Sequence, residues 1–240
     1  MNITKKISEK TKDLYASPIV MGFIGDSVTQ GCFDIYQTHT GGLETEFKST
    51  DAYHHKLKKM IETVFPNVPI NIINAGISGD SAPRGAERID RDIISHNPDI
   101  CVVCFGLNDS SWGESGIGKY KDALGNIFEK LKKANIETIF MTPNMMCDYT
   151  TKEKNNEYLE GIISGICKLQ TSGLLDKYME AALDVCGQYD IKVCDCYKKW
   201  KKLNALGADT TRLLSNRANH PIEKMHWLFA ISLFEAIFEI

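Results

Sequence analysis

Five short stretches of the chain are apolar at nearly every position: residues 19–24, 70–74, 100–105, 138–142 and 191–194. They lack the polar alternation of a half-exposed strand and predict strands covered on both faces. Longer stretches between them carry apolar residues at helical spacing. In residues 52–64 these are Leu57, Met60, Ile61 and Val64, and in residues 120–134 they are Leu124, Ile127, Phe128 and Leu131. Residues 177–189 and 223–238 continue the pattern. Strands separated by helix-length segments imply right-handed βαβ units, hence an α/β fold with a parallel sheet sandwiched between helices.

Two segments break the pattern. Residues 31–50 contain Gly41-Gly42 and little periodicity, and residues 144–173 mix polar residues with a weak apolar pattern. Both read as irregular excursions after strand ends, where an open α/β sheet binds its ligand. With no repeat and no Pro/Gly/Ser-rich linker, residues 1–240 read as a single domain.

Composition narrows the function classes. The chain is 43% hydrophobic and 25% charged, and its 28 basic residues are offset by 31 acidic ones. No basic stripe interleaved with aromatics appears, so no nucleic-acid partner is expected. The run Lys198-Lys199-Trp200-Lys201-Lys202 reads as a solvated helix face. Lysines 5, 6, 10 and 12 precede the first apolar run, but that run is shorter than a secretory h-region and no small-residue cleavage site follows. No stretch approaches a membrane span, and the expected location is cytoplasmic with no membrane partner. A homo-oligomer and a monomer are equally open. The eight cysteines read mostly as small buried hydrophobes. Cys101 and Cys104 point to opposite faces of one strand, and Cys194 and Cys196 share a strand face without a second ligand pair.

Four segments carry candidate chemistry. Gly25-Asp26-Ser27 follows the first strand, which puts a serine at the sheet's C-terminal edge; Gly25 would let a substrate approach the backbone, and Asp26 would brace the turn. Asn74-Ala75-Gly76-Ile77-Ser78-Gly79-Asp80 ends the second strand and offers the Gly79 amide. Gly106-Leu107-Asn108-Asp109 ends the third, with the Asn108 side-chain amide as a donor or a helix cap. Asn216-Arg217-Ala218-Asn219-His220-Pro221 precedes the last helix and brings a histidine suited to general-base work near neutrality, or a helix-capping residue. His226 is a competing base or a packing residue, and Phe33, Tyr36, Trp112 and Tyr149 line a pocket or cover the core.

The ordered set of Ser, Gly, Asn and His resembles the SGNH, or GDSL-type, hydrolase superfamily, from Phe23 to about Ala230. The resemblance implies a three-layer α/β/α sandwich of flavodoxin-like type with a five-stranded parallel sheet. It also implies an esterase or acylhydrolase that needs no cofactor and no metal. Ser27 would be the nucleophile and His220 the base, with the Ser27 amide, Gly79 and Asn108 as the oxyanion hole. The implied substrates are small-molecule or carbohydrate esters, often acetyl esters.

One position departs from that pattern. The family usually carries an acid three residues before the histidine, where this chain has Arg217. Arginine has only donors and cannot accept the imidazole N–H. The acceptor is then Asn216 through its side-chain oxygen, a backbone carbonyl, or a distant carboxylate such as Asp209. The alternative function is a catalytically weak or inactive SGNH-like protein that binds an acylated sugar or other small ligand. A flavin or nucleotide binder is disfavoured because no G-x-G-x-x-G follows the first strand.

Overall fold

The computed structural model describes residues 2–152 and 157–240. In chain order its elements are α1 (Asn2–Lys12), β1 (Ile19–Gly25), α2 (Ser27–Gln30), β2 (Cys32–Gln37), β3 (Leu43–Phe47), α3 (Tyr53–Val64), β4 (Ile70–Gly76), α4 (Ala82–Asp92), β5 (Ile100–Cys104), α5 (Ile117–Lys133), β6 (Glu137–Met141), α6 (Glu157–Thr171), α7 (Leu174–Tyr189), β7 (Lys192–Cys194), α8 (Cys196–Ala205) and α9 (His226–Phe238), with short 3-10 turns between several of them.

The five apolar runs form one parallel sheet in the order β4-β1-β5-β6-β7. Every residue of β5 is buried, which is why its sequence shows no alternation. Helices α4, α5 and α7 pack together on one face, and α1, α3, α8 and α9 gather on the other, giving the three-layer α/β/α sandwich. The strand order reverses at β1, between β4 and β5. A doubly wound sheet opens its ligand crevice at that point, beyond the C-terminal strand ends.

Helices α1, α4 and α8 escaped the periodicity, as did α6 within the segment 144–173. In α1, Ile3 and Ile7 are buried one turn apart among lysines, and Glu137 accepts the N–H groups of Asn2 and Ile3. In α4 the buried face is mostly small, Ala82, Gly85, Ala86 and Ile89, and it includes Arg88. In α8, Asp195 caps the helix through the Lys198 N–H, and Trp200 is buried while the lysines around it are not. The strand containing Cys194 ends there, so Cys196 opens α8 rather than sharing a strand face; the two sulfurs lie 3.7 Å apart.

The segment 31–50 is not irregular. It contains the antiparallel pair β2 and β3, a ribbon separate from the main sheet. The pairing runs from Cys32 opposite Phe47 to Ile35 opposite Thr45, so β2 carries one residue more than β3 at Phe33-Asp34. Such a bulge kinks the strand and re-aims its backbone. The segment 144–173 contains α6, and its residues 153–156 lie outside the described residues. Among the described residues no helix is long and apolar enough to cross a membrane.

Candidate active site

Ser27 opens the single-turn helix α2 directly beyond β1, 3% exposed. Asp26 caps that turn, its Oδ1 accepting the Val28 N–H at 2.9 Å, and the Gly31 N–H donates to the Ser27 carbonyl at 3.1 Å. Thr29 and Tyr53 share a hydrogen bond of 3.0 Å between their hydroxyls, and the Thr29 carbonyl lies 3.0 Å from His54 Nε2. The turn is therefore fixed from beneath. Gly25 serves a different purpose from substrate approach: a Cβ there would sit 2.3 Å from Thr29 Oγ1 and 2.6 Å from the Cys104 carbonyl. Gly25→Ala is expected to destabilise the fold by about 1–3 kcal/mol through overpacking, read as a lower urea midpoint at unchanged m-value.

His220 reaches the serine from a loop between the 3-10 turn at residues 211–213 and α9. Its Nε2 lies 2.9 Å from Ser27 Oγ, and its Nδ1 lies 3.2 Å from the backbone carbonyl of Phe33. A carbonyl only accepts, so the proton belongs on Nδ1 and the Nε2 lone pair faces the serine hydroxyl. Asn216 is not the imidazole's partner. Its Oδ1 instead accepts the backbone N–H groups of Ala218, Asn219 and His220, each at 3.0 Å, and so shapes the loop. Asn144 and the Cys147 N–H hold the same loop through the carbonyls of Asn219 and Ala218. Arg217 adopts φ 57° and turns its guanidinium back onto the carbonyls of Arg212 and Leu214. Asp209 is engaged elsewhere, by the Tyr149 hydroxyl and the Arg212 N–H. Burial pushes the His220 imidazole down to about 4, against the opposing hydrogen bond to Phe33, so the ring is neutral at pH 7.

Gly79 stands at φ 75° in the turn after β4, a conformation that favours glycine, with open space on the side a Cβ would occupy. Asn108 does not cap the 3-10 turn that follows it; its Nδ2 donates to the Asp80 carbonyl at 2.8 Å, which uses one of its two hydrogens. Three buried carboxyl groups, Asp26, Asp80 and Asp109, lie nearby. Burial raises Asp26 to about 7 and Asp109 to about 6, and Asp109 holds the N-terminus of α4 through the Ala82 N–H.

His226 is fully buried with its Nδ1 accepting the Tyr53 N–H at 3.1 Å, a packing role rather than a base. Phe33 packs on His226 at a ring separation of 4.9 Å and covers the core. Tyr36, Trp112 and Tyr149 are exposed, with the two tyrosine hydroxyls bound to Glu44 and Asp209 and Lys119 lying over the Trp112 ring. Beyond Ser27 and His220, the structure adds Phe33, Arg88, Asp109 and Asn144 to the surroundings of the site. Of these Phe33, Asp109 and Asn144 stood inside segments that sequence had marked, and Arg88 did not.

The chain belongs to the GDSL-like lipase/acylhydrolase family, whose match spans residues 23–228. It is 29% identical over 87 residues to an acetylxylan esterase of Geobacillus stearothermophilus, a stretch covering 36% of this chain and 38% of that relative. A crystal structure of an acetylxylan esterase from the same organism superposes with a TM-score of 0.66 at 19% identity, covering 92% of this chain and 94% of the other. A lipase/acylhydrolase from Enterococcus faecalis gives 0.66 at 17% identity over 91% and 95% of the two chains. At these identities the structural likeness is one of fold.

Proposed function

We propose that this protein is a carboxylic ester hydrolase acting on small acyl esters, and on acetyl esters of carbohydrates in particular. The observation that carries the reading is the 2.9 Å contact between His220 Nε2 and Ser27 Oγ at the switch point of the sheet. His220 takes the hydroxyl proton as Ser27 attacks the ester carbonyl. The tetrahedral oxyanion is held by the backbone amides of Ser27 and Gly79 and by the free Nδ2 hydrogen of Asn108. His220 then protonates the leaving alcohol, and water, activated by the same imidazole, releases the acyl group. The Phe33 carbonyl substitutes for the acid by fixing the tautomer, a neutral dipole where the family pattern has a full charge.

The acetyl and saccharide preference is supported by the acetylxylan esterase relative. The test is a series of p-nitrophenyl esters from acetate to octanoate, followed by acetylated xylo-oligosaccharides with acetate release as the readout. Acetate is expected to be fastest, and labelling by a fluorophosphonate is expected at Ser27. Thermal stabilisation by the oligosaccharide without acetate release would overturn hydrolysis in favour of binding.

The pH profile provides a separate check. A base must be deprotonated to act, and His220 is held down to about 4, so the imidazole stays competent well into acid. The acid limb of kcat/KM is expected between about pH 4 and 5. A limb near 6.5, the value of a free histidine, would contradict the burial of this base.

A further inference from the structure

Among the segments that carry Ser27, Gly79 and Asn108 lies a buried guanidinium bonded to the first two and connected to the third through Asp80. Arg88, on α4, is 8% exposed. Its Nε and Nη2 approach Asp80 Oδ2 at 2.8 and 2.7 Å. Its Nη1 donates to the Ala75 carbonyl at 2.7 Å and to Asp92 Oδ2 at 3.0 Å, and its Nη2 to the Gly25 carbonyl at 3.2 Å. Gly25 ends β1 two residues before Ser27. Ala75 lies at the end of β4, and Asp80 directly follows Gly79. The backbone carbonyl of Asp80 in turn accepts Asn108 Nδ2 at 2.8 Å. The turn between β4 and Asp80 folds back on the same anchor, because the Ile77 N–H also donates to the Gly25 carbonyl, at 3.1 Å.

We infer that Arg88 is a positioning residue of the oxyanion site: through Gly25, Ala75 and Asp80 its guanidinium sets the relative placement of the Ser27 and Gly79 amides and the Asn108 side-chain amide. The inference rests on the hydrolase reading above. Three donors from three strand ends must converge on one oxygen, and the parallel ladder of β4, β1 and β5 aligns those ends only as far as Gly76, Gly25 and Cys104. A guanidinium suits the task because its donors are fixed in a planar fork that here meets two carboxylates and two carbonyls at once. Lysine is a point charge on a flexible stem and cannot reproduce that fork. Misplacement of a reacting group by about 1 Å costs on the order of 10²-fold in rate. The loss falls on the transition state, because the ground-state carbonyl carries little of the charge these donors stabilise.

The experiment uses Arg88→Lys, which keeps a cation beside Asp80, and the double variant Arg88→Met with Asp80→Asn, which removes both charges so that none is left buried and unpaired. Folded protein is quantified by thermal melting and active sites by fluorophosphonate titration. Both variants are expected to lose about 10²-fold in kcat on p-nitrophenyl acetate with KM within about twofold of the parent. The Ki of phenylboronic acid, whose tetrahedral adduct with serine places an oxygen in the same hole, is expected to rise by the same factor as kcat/KM falls. A merely structural Arg88 would lower the melting temperature and leave kcat per titrated site and the boronate Ki unchanged, and that result overturns the inference, as does a loss confined to KM. If the parent neither turns over ester nor labels at Ser27, the hydrolase reading itself fails. If the parent does both and the variants match it, only the role of Arg88 falls.

Discussion

Ser27→Ala is expected to lower turnover of p-nitrophenyl acetate by about 10⁴- to 10⁶-fold, to remove the acyl-enzyme burst, and to leave the fold in place. The size follows from the number of roles lost with one oxygen. In the proposed mechanism Oγ is the attacking atom and the site of the acyl intermediate, and without it the remaining oxyanion donors stabilise a tetrahedral species formed only by attack of water. Stability changes little. The hydroxyl's contact is with His220 Nε2, and leaving that acceptor unpaired costs about 1–3 kcal/mol, offset by the smaller desolvation of a methyl group. Rates measured on protein with a parental melting curve make the comparison clean. Turnover equal to the parent would remove Ser27 from the mechanism.

His220→Gln is expected to give the second large effect, a fall in kcat of about 10³- to 10⁶-fold with KM nearly unchanged, since in the proposed mechanism the ring binds no part of the substrate's ground state. Glutamine can span part of the gap between the serine and the Phe33 carbonyl, yet its amide has no lone pair basic enough to take a proton. The paired control is Asp209→Ala, whose kcat is expected to stay within about twofold of the parent. Asp209 is bound to the Tyr149 hydroxyl at 2.7 Å and to the Arg212 N–H at 3.1 Å, so the base does not depend on it. A collapse of activity in that variant, with the fold intact, would return the acid role to a carboxylate and refute the carbonyl-held imidazole.

The sheet was legible because its central strands β1 and β5 are buried on both faces, so burial is written directly into consecutive residues such as Ile100 to Cys104, while the edge strand β4 is apolar in sequence yet half-exposed. Helix α4 was not, because its buried face is mostly Ala82, Gly85, Ala86 and an arginine, with Ile89 as its one large apolar residue, which leaves little hydrophobic signal at helical spacing. The ribbon of β2 and β3 was hidden for another reason: its bulge at Phe33-Asp34 interrupts the alternation that marks a hairpin. In the site, side chains at strand ends were readable because the topology dictates where a strand end lies. Ser27 and His220 met as that argument requires. The partner of His220 was left among three possibilities because it is a main-chain atom, and any residue type at position 33 supplies a carbonyl. Arg88 was invisible as part of the site since a cation on a helix reads as a surface charge until its burial is seen.

The carbonyl at Phe33 makes the proposed base, His220, answerable to a fold element instead of to a side chain. A scan that trims side chains one at a time would pass through β2 without ever deleting the acceptor, and would report this enzyme as a bare dyad. Only a change to the backbone itself reaches it: displacing the bulge by inserting or removing a residue in β2 swings that dipole away from His220 while every functional side chain stays in the protein.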